Sequence, residues 1–198
     1  VAGGTENNAS VDYSTVGGGQ FNTASGGAST VGGGQFNAAL GSSSTVGGGD
    51  ANRDSGDYSA IPGGRGLTLD ANADRSFGFH ANNLSGTLPM TISTPDVAVF
   101  GNTDLWLANN DNAPSELRFF EGYNTAGAFP NTANYSAFKA QPQASDITYI
   151  LPDTIGIVGD ILQVKALSGS TATLDWAGGG SGTAWQLTGN SGTTAGTN

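Results

Sequence analysis

Few side chains in this chain could do acid–base or nucleophilic chemistry. His80 is the one histidine, and there is no cysteine. A Ser-His-Asp site would have to use His80, yet no Gly-x-Ser-x-Gly elbow occurs anywhere. His80 follows Phe77 and Phe79, the setting of a packed or subunit-contact histidine. Asp70-x-Asn72-x-Asp74 opens like a calcium loop, whose oxygen ligands suit a hard cation. The loop is not completed: Arg75 stands where its Gly belongs, and Ala81 where a bidentate Glu is required. Asn109, Asn110, Asp111 and Asn112 also offer oxygens, but clustered Asn and Asp form turns first. Glu116 and Glu121 lie five apart on one expected strand and so face opposite ways, which does not make a glycosidase acid pair within the chain. We expect no catalytic site, no cofactor and no bound metal.

The elements that hold these residues are set by a repeat. Ser14-Thr-Val-Gly-Gly-Gly-Gln-Phe-Asn22 recurs as Ser29 to Asn37, and again as Ser44-Thr-Val-Gly-Gly-Gly-Asp-Ala-Asn52. A degenerate copy runs from Ser59 to Gly66, and the offset is 15 throughout. The repeat aligns Val16, Val31, Val46 and Ile61 in an apolar column, with Val1 ahead of them, and Asn7, Asn22, Asn37 and Asn52 in a polar one. Glycine triplets and β-branched residues exclude helix. They lack the Lys-Ser/Thr ending of a phosphate loop. Two short strands per repeat, joined at glycine turns and stacked about 4.8 Å apart, predict a parallel β-solenoid over 1–66. The Val column, Phe21 and Phe36 are expected in its core, and the Asn column as a stacked amide ladder. Only one Thr column exists (Thr15, Thr30, Thr45), and it fails at Ala60, so the doubled ranks of an ice-binding face are missing. Tyr13 and Tyr58 share a column in which the intervening repeats carry Ala28 and Ser43. They could stack on sugars or cap the ends of the roll.

Composition supports an assembly with a shared core. Gly makes up 33 of 198 residues, and only 38, about 19%, are Leu, Ile, Val or Phe. One chain has little to bury, whereas several copies packed together could share a core. Net charge is −10, and the few Arg residues, among them Arg53, Arg65, Arg75 and Arg118, are isolated, so a nucleic-acid partner is not expected. The most apolar stretch, Ile147 to Leu162, is broken by Pro152, Asp153 and Asp160 and does not predict membrane insertion. The repeat frame opens mid-unit at Val1, so the chain reads as cut from a longer polypeptide.

The in-register blocks STVGGGQFNTASG and STVGGGQFNAALG resemble the head repeats of trimeric autotransporter adhesins and related trimeric phage tail fibres. The resemblance covers about 1–66. It implies a left-handed parallel β-roll in each chain and three chains packed together. Adhesin heads commonly use a slightly shorter period.

Beyond Gly66 the period is lost. Residues 67–125 read as a capping and transition β region, with one strand in Leu67–Phe79, two about a Gly-Asn turn in Asp96–Leu107, and one at Ser115–Glu121. Further short strands are expected at Tyr135–Lys139, Asp146–Leu151, Asp160–Val164 and Thr171–Trp176 within a fibre module at 126–177. A Gly-rich linker and the start of another module fill 178–198. The stretch ITYILPDTIGIVGDILQVKALSGSTATLDWA resembles a module that tail fibre proteins carry just before a C-terminal chaperone region. The matching residues are Leu151, Pro152, Gly156, Gly159, Leu162, Leu174 and Trp176. This resemblance implies a trimeric, β-prism-like, intertwined stalk. Together the two predict an all-β parallel homotrimer, extracellular on a virion or cell surface, that attaches to a cell-surface glycan or protein receptor. A bacterial surface trimeric adhesin is the near alternative, and a glycan-degrading tail spike the alternative of another class.

Overall fold

The computed structural model describes residues 1–82, 89–108, 114–121, 134–140 and 143–178. The chain divides into two compact units, Val1–Trp106 and Leu107–Asn198. Every regular element among the described residues is a β-strand.

Thirteen strands lie among the described residues of the first unit. The first eight are each two residues long: β1 (Asn8–Ala9), β2 (Thr15–Val16), β3 (Thr23–Ala24), β4 (Thr30–Val31), β5 (Ala38–Ala39), β6 (Thr45–Val46), β7 (Arg53–Asp54) and β8 (Ala60–Ile61). Then come β9 (Gly64–Arg65), β10 (Leu67–Leu69), β11 (Phe77–Ala81), β12 (Met90–Ile92) and β13 (Ala98–Gly101). They build two parallel sheets, β1-β3-β5-β7-β10-β12 and β2-β4-β6-β8-β11-β13, with β9 also paired to β11. Registers fall on the repeat: Val16, Val31, Val46 and Ile61 are successive partners in one sheet. Ala24, Ala39, Asp54 and Leu69 are successive partners in the other. A third file of single bridges joins Thr5, Gln20, Gln35, Asp50 and Arg65. Each 15-residue repeat is therefore one turn of a parallel β-solenoid.

Strands this short form because each rung must turn three times in 15 residues. One corner is glycine, with Gly19, Gly34, Gly49 and Gly64 at φ 87–92°. At Gly34 a Cβ would also stand 2.2 Å from the Gly49 carbonyl oxygen of the next rung, so the position is closed to side chains twice over. The other two corners put non-glycine residues at left-handed φ. Glu6, Phe21, Phe36 and Ala51 line one (φ 54–57°), and Tyr13, Ala28, Ser43 and Tyr58 the other (φ 54–63°). The interior is thin: Val16, Val31, Val46 and Ile61 pack with Ala24 and Ala39, and Leu67, Leu69 and Ala73 continue the core.

Both sheets run past Gly66. Rungs lengthen as the offset grows to 17 (Ala60 to Phe77) and then 21 (Phe77 to Ala98), while the ladders continue through β10–β13 to Gly101. Residues 67–101 thus extend the solenoid rather than cap it. Register requires only that the next strand return to the ladder, whatever the number of residues between strands. Residues 102–108 form no strand, so the second strand expected after the Gly-Asn turn is absent there.

In the second unit, β14 (Glu116–Phe120) pairs antiparallel with β15 (Tyr135–Lys139). A three-stranded sheet has the order β16-β18-β17, from β16 (Thr148–Ile150), β17 (Asp160–Ser168) and β18 (Thr171–Gly178). β17 and β18 form an antiparallel hairpin with a register shift between Val164 and Ala166, and β16 runs parallel to β18. Asn109, Asn110, Asp111 and Asn112, residues 122–133, and the linker from Gly179 onward lie outside the described residues.

Candidate assembly and adhesion surfaces

The interior of the solenoid carries the aligned columns. Val16, Val31, Val46 and Ile61 are fully buried side by side, and Asn22, Asn37 and Asn52 are buried beside them, with Asn7 partly covered at the end. Asn37 Oδ1 accepts the Asn52 backbone N–H at 3.1 Å. Asn37 Nδ2 donates to the carbonyls of Gly33 at 3.0 Å and Gly49 at 2.9 Å, and lies 3.1 Å from Asn22 Oδ1. The Asn37 side chain thereby satisfies backbone groups of its own rung and of the next, and meets the Asn22 side chain of the rung before, as a buried backbone requires. The file ends on Leu67, whose N–H still donates to Asn52 Oδ1 at 3.1 Å.

Phe21 and Phe36 are not in this core. Phe36 is 52% exposed and Phe21 half-buried, because both sit on a left-handed corner whose side chains leave the solenoid. Their rings stack on each other instead, centroids 5.0 Å apart and 2° from parallel. Between Gln20 and Gln35, one position earlier in each rung, Gln35 Nε2 donates to Gln20 Oε1 at 3.0 Å. The same column ends in the exposed Asp50–Arg65 ion pair at 3.0 Å.

A feature that the repeat alignment alone could have flagged is Asp54. It takes the place of Ala24 and Ala39 in the buried column and is itself fully buried. Ser59 Oγ contacts Asp54 Oδ1 and lies 2.6 Å from the Gly56 carbonyl. Among the described residues Asp54 Oδ2 has no partner, nor do Ser29 Oγ, Ser44 Oγ and Ser55 Oγ. Burial pushes the Asp54 carboxyl up to about 6, against the hydrogen bonds from Ser59 and the backbone, which lower it.

The residues weighed as chemical candidates are occupied structurally. His80 is buried, its Nδ1 2.9 Å from the Arg65 carbonyl and 3.2 Å from that of Gly66. Asn102 Nδ2 lies 3.0 Å from His80 Nε2. With the proton on Nδ1, His80 donates to the two carbonyls and accepts from Asn102, which makes it a rung-to-rung tie. Asp70 accepts from Ser93 Oγ and the Asn72 N–H, and Asp74 accepts the Asp57 N–H at 2.8 Å. Glu116 bonds Lys139 at 2.8 Å and Arg118 at 2.7 Å, contacts that hold its carboxyl below the ordinary glutamate range. Glu121 is tied to Asn134. No group of three metal-ligating side chains occurs among the described residues.

The stalk-motif residues meet in part. Trp176 covers Gly156: a Cβ there would stand 2.7 Å from the indole ring. Trp176 Nε1 donates to the Thr154 carbonyl at 2.9 Å, pinning the loop after Leu151 and Pro152 onto β18. Gly159 turns the chain at φ 100°. Leu151 and Leu162 face solvent, and Leu174 is half-buried. Around them Ile155 is 94% and Val158 105% exposed, and all of β17 after Asp160 is open to water. Among the described residues of this unit only Ala172 belongs to a buried apolar set. No family model matches this chain, and no curated protein matches it.

Proposed function

We propose that the chain is a structural and adhesive segment of a long parallel homotrimeric fibre, displayed outside the cell as a tail fibre of a phage or phage-like injection system, with a bacterial surface trimeric adhesin as the near variant. One observation carries this reading: among the described residues, the apolar side chains of 143–178 are left largely exposed. A hairpin whose Ile161, Leu162, Val164 and Leu167 are all exposed is not stable alone in water. Burial of such surface contributes about 25 cal/mol per Å², and three copies around an axis would supply it without adding residues. They would also cover the free edges of β16 and β17, which otherwise invite uncontrolled pairing. A trimeric rod repeats each surface corner three times at one height, so weak receptor contacts gain avidity. The left-handed roll and prism-like stalk implied by the two resemblances belong to this proposal.

Light scattering on the purified chain tests it. A mass near three times 19.7 kDa at micromolar concentration is expected. A folded monomer with cooperative unfolding of residues 143–178 would overturn the proposal.

A further inference from the structure

We propose that the corner from Tyr13 to Tyr58 is a binding site for a neutral oligosaccharide. This rests on the extracellular fibre reading and names the ligand class and the surface that would take it. Tyr13 is 90% exposed and Tyr58 69%. Both stand at left-handed φ, 63° and 57°, where a bulky L-residue is disfavoured. The solenoid does not need them, because Ala28 and Ser43 hold the same corner in the two rungs between. Nor does Tyr58 end the corner, which continues past it through Arg75 and Asp96. The backbone beneath is rigidly laddered. Ala28, Ser43, Tyr58 and Arg75 each donate their N–H to a carbonyl of the preceding rung, at 2.8–3.1 Å.

Two aromatic platforms are therefore fixed three rungs apart, roughly 14 Å at the strand spacing, with a floor of one methyl and one hydroxyl between them. A protein partner wants a contiguous apolar centre, and this surface breaks its apolar parts with polar ones. An oligosaccharide has the matching alternation, sugar faces that stack on a ring and hydroxyl rims that hydrogen-bond. Ser42, Ser43 and Asp57 are exposed hydrogen-bonding groups at that floor. Asp57 already accepts the Ser42 N–H at 2.7 Å, which orients its carboxylate. Asp12 and Asp57 sit one residue before the tyrosines, so the surface disfavours an anionic chain and points to a neutral one.

The test titrates the full chain with neutral hexasaccharides of glucose and of N-acetylglucosamine, and with an acidic heparin hexasaccharide, by calorimetry and saturation-transfer NMR. Binding of at least one neutral probe is expected, with none of the acidic one. Tyr13→Ser and Tyr58→Ser should each weaken it by about tenfold or more, and the double variant should abolish it. The melting temperature should hold, because Ser43 already occupies this corner. Absence of neutral binding at millimolar probe, preference for the acidic probe, or full binding by the double variant each overturns the site. Mass measurements on the same samples separate the two readings. A trimer that binds no neutral probe defeats this site and leaves the fibre. A double variant that loses its trimer mass makes the tyrosines subunit contacts and defeats the site as well.

Discussion

At the scale of single residues, Asp54 departs most from the repeat. An ionised carboxylate in a column otherwise filled by Ala and Leu, with one oxygen unpartnered, is disfavoured. Its folded-state pKa of about 6 lies above the 3.8 of the free group. Below 3.8 both states are protonated. As pH rises toward 6 the unfolded chain releases the proton while the folded chain keeps it, so stability is lost across that window, by about 3 kcal/mol at 1.36 kcal/mol per unit. The exposed acids Asp70, Asp96, Glu116 and Asp175 are shifted down and act with the opposite sign. The Asp54 effect is therefore read as a difference between variants. Asp54→Ala, which recreates the Ala24 and Ala39 rungs, should melt higher than the parent at pH 7.5, and the gap should close by pH 4. An equal gap at both pH values in chemical denaturation would count against a raised Asp54 pKa. Asn37→Ala should act in the other direction, costing about 2–5 kcal/mol, because Asn52 N–H and the Gly33 and Gly49 carbonyls lose their partner together.

At the scale of the rung, close backbone approach does more than hydrophobicity. A Cβ on Gly41 would stand 2.0 Å from the carbonyl oxygen of Gly56 in the next rung, with no flexible side chain to give way. Gly41→Ala should push two rungs apart and lower the melting temperature sharply, whereas Ser43→Ala, two residues on, should change it little because Ala28 fills that corner. Similar losses from the two substitutions would mean the rungs are not held at this spacing. The repeat made this ladder legible beforehand, since the Val, Asn and Gly columns recur at one offset. It did not reveal the direction of Phe21 and Phe36. An apolar residue beside a glycine triplet suggests core, but left-handed φ at that corner turns the side chain outward.

At the scale of the whole molecule, the two units have different needs. The solenoid encloses a small apolar column of its own, while β16–β18 expose apolar side chains along a nine-residue strand. Leu167→Glu should convert the proposed trimer to lower-mass species in light scattering while leaving the ladder of Val1–Trp106 folded by circular dichroism. A trimer that tolerates this charge would place Leu167 outside the subunit contact.

The sequence by itself determined the rung. An unbroken 15-residue offset places like residues on like positions, and only parallel in-register stacking lets Asn meet Asn and Val meet Val. It also marked most short strands of the second unit, because β-branched and aromatic runs between Pro and Gly leave few other conformations. Tertiary structure decided what periodicity does not encode. The ladders continue to Gly101 after the offset breaks, because hydrogen-bond register counts strands and not the number of residues between them. Asp54 is buried because its column is, although its type alone would put it at the surface. His80 became a tie between rungs because folding brought the carbonyls of Arg65 and Gly66, and the amide of Asn102, to its two nitrogens.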